Sequence, residues 1–160
     1  MDCLARIQAT PGSLALDLPS GAGRHTALLR TSGYEVVAAD LDFRLLRVVL
    51  QTAPDARCVV LDAKNPLPFV SGSFDLVVSV HPVIVRFLAD VPGLLRPGGH
   101  LVFETFGAQG KNSQDLPQAG EIARNLAPLK PIRYFEKPTR GMPARVTVKA
   151  LFQRPADELG

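Results

Sequence analysis

Short runs of adjacent apolar residues alternate along the chain with segments whose apolar positions follow helical spacing. The runs Val59-Val60-Leu61 and Leu76-Val77-Val78 are apolar at successive positions, which is typical of strands covered on both faces of a sheet. Such strands alternating with helices predict a parallel sheet with helices on both sides. The strands predicted before residue 106 are Leu14–Leu18, Glu35–Asp40, Arg57–Leu61, Phe74–Val80 and His100–Thr105. The helices predicted between them are Ala22–Ser32, Asp42–Gln51 and Val83–Leu95.

The pattern changes after the fifth predicted strand. The segment Phe106–Pro117 is polar and contains glycines, which predicts a loop. A short helix is predicted over Gln118–Ala127, followed by strands at Ile132–Glu136 and Ala144–Phe152. In Ala144–Phe152 polar and apolar residues mostly alternate, and this period of two is typical of an edge hairpin with one wetter face.

Three acidic residues, Asp17, Asp40 and Asp62, stand at the ends of the first three predicted strands. Right-handed crossovers bring the carboxyl ends of parallel strands to one edge of a sheet, where ligands bind. Between Asp17 and the first predicted helix lies the turn Gly21-Ala22-Gly23, where glycine permits a positive φ and lets a ligand approach the backbone. The sequence therefore predicts a pocket with carboxylates at this edge.

Two types of cofactor are compatible with a glycine-rich turn between a strand and a helix. A dinucleotide site has the spacing G-x-G-x-x-G, with the pyrophosphate at the helix N-terminus, but Thr26 occupies the third glycine position here. The carboxylate of Asp17 would also repel a pyrophosphate. It favours a cation, and S-adenosylmethionine carries a sulfonium and an α-amino group.

Four segments resemble, in order and spacing, the motifs of class I S-adenosylmethionine-dependent methyltransferases. They are DLPSGAG (17–23), VVAAD (36–40), LDAKNPLPFVSGSFDLVVS (61–79) and LLRPGGHLVFETF (94–106). Within that superfamily, GAGRHTALLRTSGYEV resembles the tellurite-resistance and thiopurine type, whose members act on small molecules. The resemblance implies a Rossmann-like, doubly wound α/β fold. Its seven-stranded sheet would have the order 3-2-1-4-5-7-6, with strand seven antiparallel.

The resemblance also implies roles for the first two motifs in binding S-adenosylmethionine. Asp17 would lie near the methionyl amino group, and Gly21 and Gly23 would pass beneath the methionine and ribose. Asp40 would accept hydrogen bonds from the two ribose hydroxyls, for which a carboxylate has paired acceptors. Pro19 departs from the family pattern, because it replaces a glycine, has a fixed φ and lacks an amide hydrogen. We interpret it as a tolerated variant.

The later motifs complete the implied site. Leu41 would flank the adenine, and Asp62 and Ala63 would meet the adenine edge. Ser79 and the two residues after it would border the methyl group and the acceptor. Among these, His81 is the candidate general base, because its ordinary pKa is near neutrality. The alternative is that His81 only positions a ligand or packs against its neighbours.

Composition restricts the class of protein. With 46% hydrophobic and 21% charged residues in 160, the chain has the balance of a globular domain. Two cysteines without metal-ligand spacing favour a reduced, cytoplasmic location, and no signal peptide, membrane span or metal site is predicted.

The end of the chain is basic. The segment from Arg124 to Arg154 contains eight basic residues and a single acidic residue, Glu136. We interpret them as a solvated rim rather than a surface for an anionic substrate or RNA.

Together these features predict one methyltransferase domain over residues 1–160, with a short N-terminal extension (1–13) and a lid at Phe106–Pro117 or from a partner subunit in a homodimer. The predicted activity is in-line transfer of the methyl group of S-adenosyl-L-methionine to a small-molecule acceptor, without a nucleic-acid or membrane partner. Three alternatives stay open at this point: a non-catalytic S-adenosylmethionine-binding protein, an NAD-dependent oxidoreductase and an RNA methyltransferase.

Overall fold

A computed structural model of the chain describes residues 7–82, 85–105 and 116–156. It contains seven strands and four α-helices within these residues. The strands are β1 (Leu14–Asp17), β2 (Glu35–Asp40), β3 (Arg57–Val60), β4 (Phe74–Val80), β5 (Leu95–Glu104), β6 (Lys130–Thr139) and β7 (Met142–Gln153). The helices are α1 (Arg24–Thr31), α2 (Phe43–Thr52), α3 (Val91–Leu94) and α4 (Glu121–Asn125), and a 3₁₀-helix covers Arg86–Ala89.

All seven strands form one sheet in the order β3-β2-β1-β4-β5-β7-β6. Neighbouring strands among β1–β5 are parallel, and β7 runs antiparallel to both β5 and β6. The predicted strand order and the antiparallel seventh strand are confirmed. The carboxyl ends of β1, β2 and β4 therefore lie side by side at one edge of the sheet.

Buried apolar side chains cover both faces of the sheet, as the continuous apolar runs predict. One face packs against the 3₁₀-helix, α3 and α4 through a large cluster that includes Leu16, Val77, Phe87, Phe103 and Val148. The opposite face carries a smaller cluster, in which Leu29 of α1 packs with strand residues. Among the described helices, none has the length and apolar character needed to cross a bilayer.

The residue before each of the first two helices sets where the helix begins. Gly23 has a φ of 86°, so α1 starts at Arg24 rather than at the predicted Ala22. A Cβ at Gly23 would lie 2.9 Å from Cγ2 of Val49, so the turn and α2 pack too closely for a side chain there. Asp42 caps α2 by accepting a hydrogen bond from the backbone N–H of Arg44 over 2.9 Å.

Two predicted elements depart furthest from the structure. The helix predicted over Val83–Leu95 is, in its described part, the 3₁₀-helix followed by the four-residue α3. Proline is tolerated only in the first turn of an α-helix, so a helix that contains Pro92 begins just before it. Strand β5 begins at Leu95 rather than His100, because the segment 96–99 forms an irregularity inside the strand, between the pairs Phe74–Leu95 and Leu76–His100.

Candidate functional site

A cavity of about 530 Å³ opens at the carboxyl ends of β1, β2 and β4. Its wall is formed mainly by the turn between β1 and α1 together with the first residues of α1. The described residues that line it are Pro19, Ser20, Gly21, Ala22, Gly23, Arg24, His25, Ala27, Asp40, Thr52, Val80 and His81. A Cβ built on Gly21 would meet no protein atom within 4 Å, so the backbone there borders open space. This volume lies in the range of pockets that hold a drug-sized ligand.

Asp40 ties the turn to the end of β2. Its Oδ2 accepts a hydrogen bond from the backbone N–H of Gly21 over 2.8 Å, and its Oδ1 accepts one from the N–H of Asp42 over 3.0 Å. A carboxylate oxygen has more than one lone pair, so both oxygens keep the capacity to accept from a ligand. Asp40 is therefore held in place by the protein and still lines the cavity.

Asp17 lies fully buried at the end of β1. Its Oδ2 accepts a hydrogen bond from the hydroxyl of Thr26 over 2.6 Å, while no group of the described residues donates to Oδ1. Burial raises the pKa of Asp17 to about 6, although hydrogen bonds from Thr26 oppose the shift and the charge of Asp40 adds to it. A buried carboxyl group with one spare oxygen favours a nearby cationic ligand group.

Ser20 has the features of a binding residue that the sequence interpretation missed. It lines the cavity and is 6% exposed, and its hydroxyl makes no hydrogen bond with the described residues. Its backbone N–H donates to the carbonyl of Ala39 over 2.9 Å, which joins the turn to β2. A serine between a proline and a glycine is an ordinary turn residue, so only its burial beside the cavity identifies it.

His81 lines both this cavity and a second one. It follows β4 with a φ of 58°, an unusual conformation for a residue with a side chain, and its backbone N–H donates to the carbonyl of Glu104 over 2.8 Å. The second cavity, of about 270 Å³, is also lined by His81. Its other described lining residues are Glu104, Thr105, Phe135, Lys137, Thr147 and Lys149.

Burial lowers the pKa of His81, and the charges of Arg24 and Lys149 lower it further, while Glu104 opposes them. The imidazole is therefore mostly neutral at pH 7, the form that can accept a proton. His25, in the first turn of α1, is also buried with a lowered pKa, mainly because of desolvation. Two neutral histidines thus lie along the first cavity.

Asp17 and the remaining predicted residues lie outside the lining of both cavities. Ser79 is completely buried in β4, and its hydroxyl has no hydrogen-bond partner among the described residues. Leu41 is 66% exposed, and Ala63 packs at the margin of the core. Asp62 accepts a hydrogen bond from the N–H of Lys64 over 2.9 Å. Most of the predicted lid, Phe106–Pro117, lies outside the described residues.

In residues 7–82, 85–105 and 116–156, no three histidine, cysteine or acidic side chains lie close enough together to hold a metal ion.

A family model described as "Methyltransferase domain" matches residues 16–103 of the chain. The biotin biosynthesis bifunctional protein of Cellvibrio japonicus is 35% identical over 99 residues, which is 58% of this chain and 19% of that protein. A demethylmenaquinone methyltransferase of Renibacterium salmoninarum is 31% identical over 105 residues, which is 62% of this chain and 44% of that protein. The chain thus spans less than half of the length of these curated relatives.

Solved structures extend the similarity to nearly the whole chain. An S-adenosylmethionine-dependent methyltransferase from Mesorhizobium loti has a TM-score of 0.75 at 17% identity, covering 96% of both chains. A TehB-like S-adenosylmethionine-dependent methyltransferase from Corynebacterium glutamicum has a TM-score of 0.68 at 25% identity, covering 91% of this chain and 82% of its own. The fold described above is therefore the fold of these enzymes.

Proposed function

The chain belongs to the class I S-adenosylmethionine-dependent methyltransferases, and we propose that it transfers a methyl group to a small-molecule nucleophile. The observation that carries the proposal is the position of His81, which lines both the cavity at the glycine turn and the second, smaller cavity. A transferase needs two adjoining sites, one for the donor and one for the acceptor, because proximity supplies most of the rate.

The residues of the larger cavity fit S-adenosylmethionine, the cofactor of this family. The open space beside Gly21 admits a ligand against the backbone, and the carboxylate of Asp40 can accept from the ribose hydroxyls. Asp17 and its spare oxygen place negative potential behind the turn, which favours the α-amino group. Pro19 lines the cavity with Gly21 and Gly23, which supports its interpretation as a tolerated variant.

The adenine contacts of Leu41, Asp62 and Ala63 and the methyl-group contact of Ser79 stay predictions.

When bound, S-adenosylmethionine supplies an electrophilic methyl group. The protein's part is to orient the acceptor and to remove its proton where the acceptor is protonated. His81 can accept that proton, because its imidazole is neutral at pH 7 and its backbone is held by the carbonyl of Glu104.

The size of the second cavity supports a small acceptor. Its volume of about 270 Å³ is slightly below the usual range of ligand pockets. The names of several relatives point to small-molecule acceptors, including demethylmenaquinone. The tellurite-resistance and thiopurine subtype, the single domain, the lid, the cytoplasmic location and the homodimer stay predictions.

Calorimetric titration with S-adenosylmethionine, S-adenosylhomocysteine and NAD tests the cofactor, and S-adenosylhomocysteine release across a panel of small acceptors tests the reaction. We expect the two adenosyl ligands to bind and at least one acceptor to support turnover. Binding of NAD alone would contradict the proposal. Binding of the adenosyl ligands without turnover on any acceptor would favour a non-catalytic binding protein, and turnover only on RNA would favour an RNA methyltransferase.

A further inference from the structure

The second cavity is built on a row of side chains that crosses three neighbouring strands. In the strand register, Glu104 of β5 pairs with Lys149 of β7, and Lys149 pairs with Phe135 of β6. One step further out, Lys137 pairs with Thr147. Because side chains two residues apart share a face of a strand, these residues project from the same side of the sheet.

The charges in this row do not balance. Nζ of Lys149 lies 2.9 Å from Oε1 of Glu104, whose side chain is 19% exposed, so the acidic residue is already neutralised by one lysine. No ion pair within the described parts of the chain includes Lys137. The cavity therefore has an excess positive charge at its outer end, away from His81.

The spacing sets the shape of a matching ligand. His81 bonds to the β5 backbone at Glu104, whereas Lys137 lies on β6, two strands away, or about 10 Å between backbones. Phe135 stands on the same strand two residues before Lys137, and its ring, which is 54% exposed, offers an apolar surface in the cavity lining against which a planar ligand can stack. A ligand that reaches both ends needs an anionic group and a nucleophilic atom on opposite sides of a flat body.

We infer that the acceptor is a small aromatic acid, whose carboxylate binds Lys137 and whose ring packs on Phe135. The nucleophilic atom then lies toward His81 and the donor cavity. Lys137 is the specificity-determining residue. The inference rests on the proposed function, because it takes the second cavity to be the acceptor site.

Benzoate and benzamide test the inference, since they share shape and ring and differ in charge. Each is titrated by calorimetry and by NMR into the protein, with and without S-adenosylhomocysteine. We expect benzoate to bind at least about 10-fold more tightly than benzamide, and Lys137→Gln to abolish this difference. Lys130→Gln is the matched control, because it removes the same charge from the same strand at a position that does not line the cavity.

Equal binding of the two probes, binding of neither at millimolar concentration, or an unchanged preference in Lys137→Gln would overturn the inference. A loss of the preference in Lys130→Gln as large as in Lys137→Gln would also overturn it, since the effect would then reflect net charge alone. The proposed function fails separately, if S-adenosylhomocysteine does not bind or no acceptor is methylated, because the probe comparison requires neither result.

Discussion

The backbone N–H of Gly21 donates a hydrogen bond to Oδ2 of Asp40 over 2.8 Å, which joins the turn after β1 to the end of β2. The two residues stand 19 positions apart in the chain and both line the larger cavity. One carboxylate thus holds the backbone of the glycine turn and keeps lone pairs that can accept hydrogen bonds from a ligand in the cavity.

Replacing Asp40 with asparagine should weaken S-adenosylhomocysteine binding by about 10- to 100-fold, the value of one or two hydrogen bonds to a charged group. Calorimetry measures the affinity. Asp55→Asn is the control, because Asp55 is exposed and lies outside both cavity linings. An unchanged affinity in Asp40→Asn would show that the ribose hydroxyls bind elsewhere.

Alanine at Gly21 should separate cofactor binding from folding. Gly21 and Gly72 both have a positive φ, of 53° and 67°, and neither would meet a protein atom with its Cβ. Each alanine variant should therefore lose about 1–2 kcal/mol of unfolding free energy, from backbone strain alone. Only Gly21→Ala should also weaken S-adenosylhomocysteine binding, because its methyl group enters the cavity. Equal affinities for the two variants would place the ligand away from the turn.

Asp17 should make stability depend on pH. Its pKa is raised from 3.8 to about 6 in the folded protein, so the folded state binds the proton more tightly than the unfolded state. The contribution of Asp17 to the free energy of unfolding is therefore fully present below pH 3.8 and is lost as the pH rises through about 6. A shift of this size amounts to about 3 kcal/mol. Urea unfolding of the wild type and Asp17→Asn between pH 4 and 7.5 measures this contribution. The variant should gain stability relative to the wild type as the pH rises. Free energies of unfolding that change in parallel with pH in the two proteins would refute the prediction.

The affinity for S-adenosylmethionine should follow the same titration in the opposite direction. Ionised Asp17 attracts the ligand's α-amino group, so binding should strengthen from pH 5 to 7 in the wild type. Asp17→Asn should bind more weakly at pH 7 and show a flatter pH profile. Calorimetry in one buffer series measures both, and a variant that keeps the wild-type profile would assign the dependence to another group.

His81→Gln should lower the methylation rate by about 100-fold or more for an acceptor that is protonated at working pH, if His81 is the general base. Burial lowers the pKa of His81, so the wild-type rate should fall only below the ordinary histidine range. His100→Gln is the matched control, because His100 is also partly buried with a lowered pKa but does not line either cavity. Unchanged transfer in His81→Gln, with cofactor binding intact, would leave His81 a positioning or packing role.

Local chemistry made several elements predictable. The bounds of β2 and β4 agree with the prediction. An apolar run that ends at an acid or a turn residue indicates both ends of a buried strand. The start of β5 could not be predicted in this way. The residues Arg96-Pro97-Gly98-Gly99 suit a turn. They lie within the strand because Leu95 and His100 on either side pair with β4, and because the backbones of Gly98 and Gly99 hydrogen-bond to Arg154.

The alternation of strands and helices, the acids at the strand ends and, by resemblance, the family and its cofactor were predictable from the chain, because they depend on neighbouring residues and motif spacing. Long-range packing is what buries Asp17 with a spare oxygen and places Ser20, but not Asp62, beside the larger cavity. It also places His81 in the lining of two cavities, one of which is built mainly from β5, β6 and β7. Burial and register depend on residues distant in the chain, and no local pattern records which of them meet.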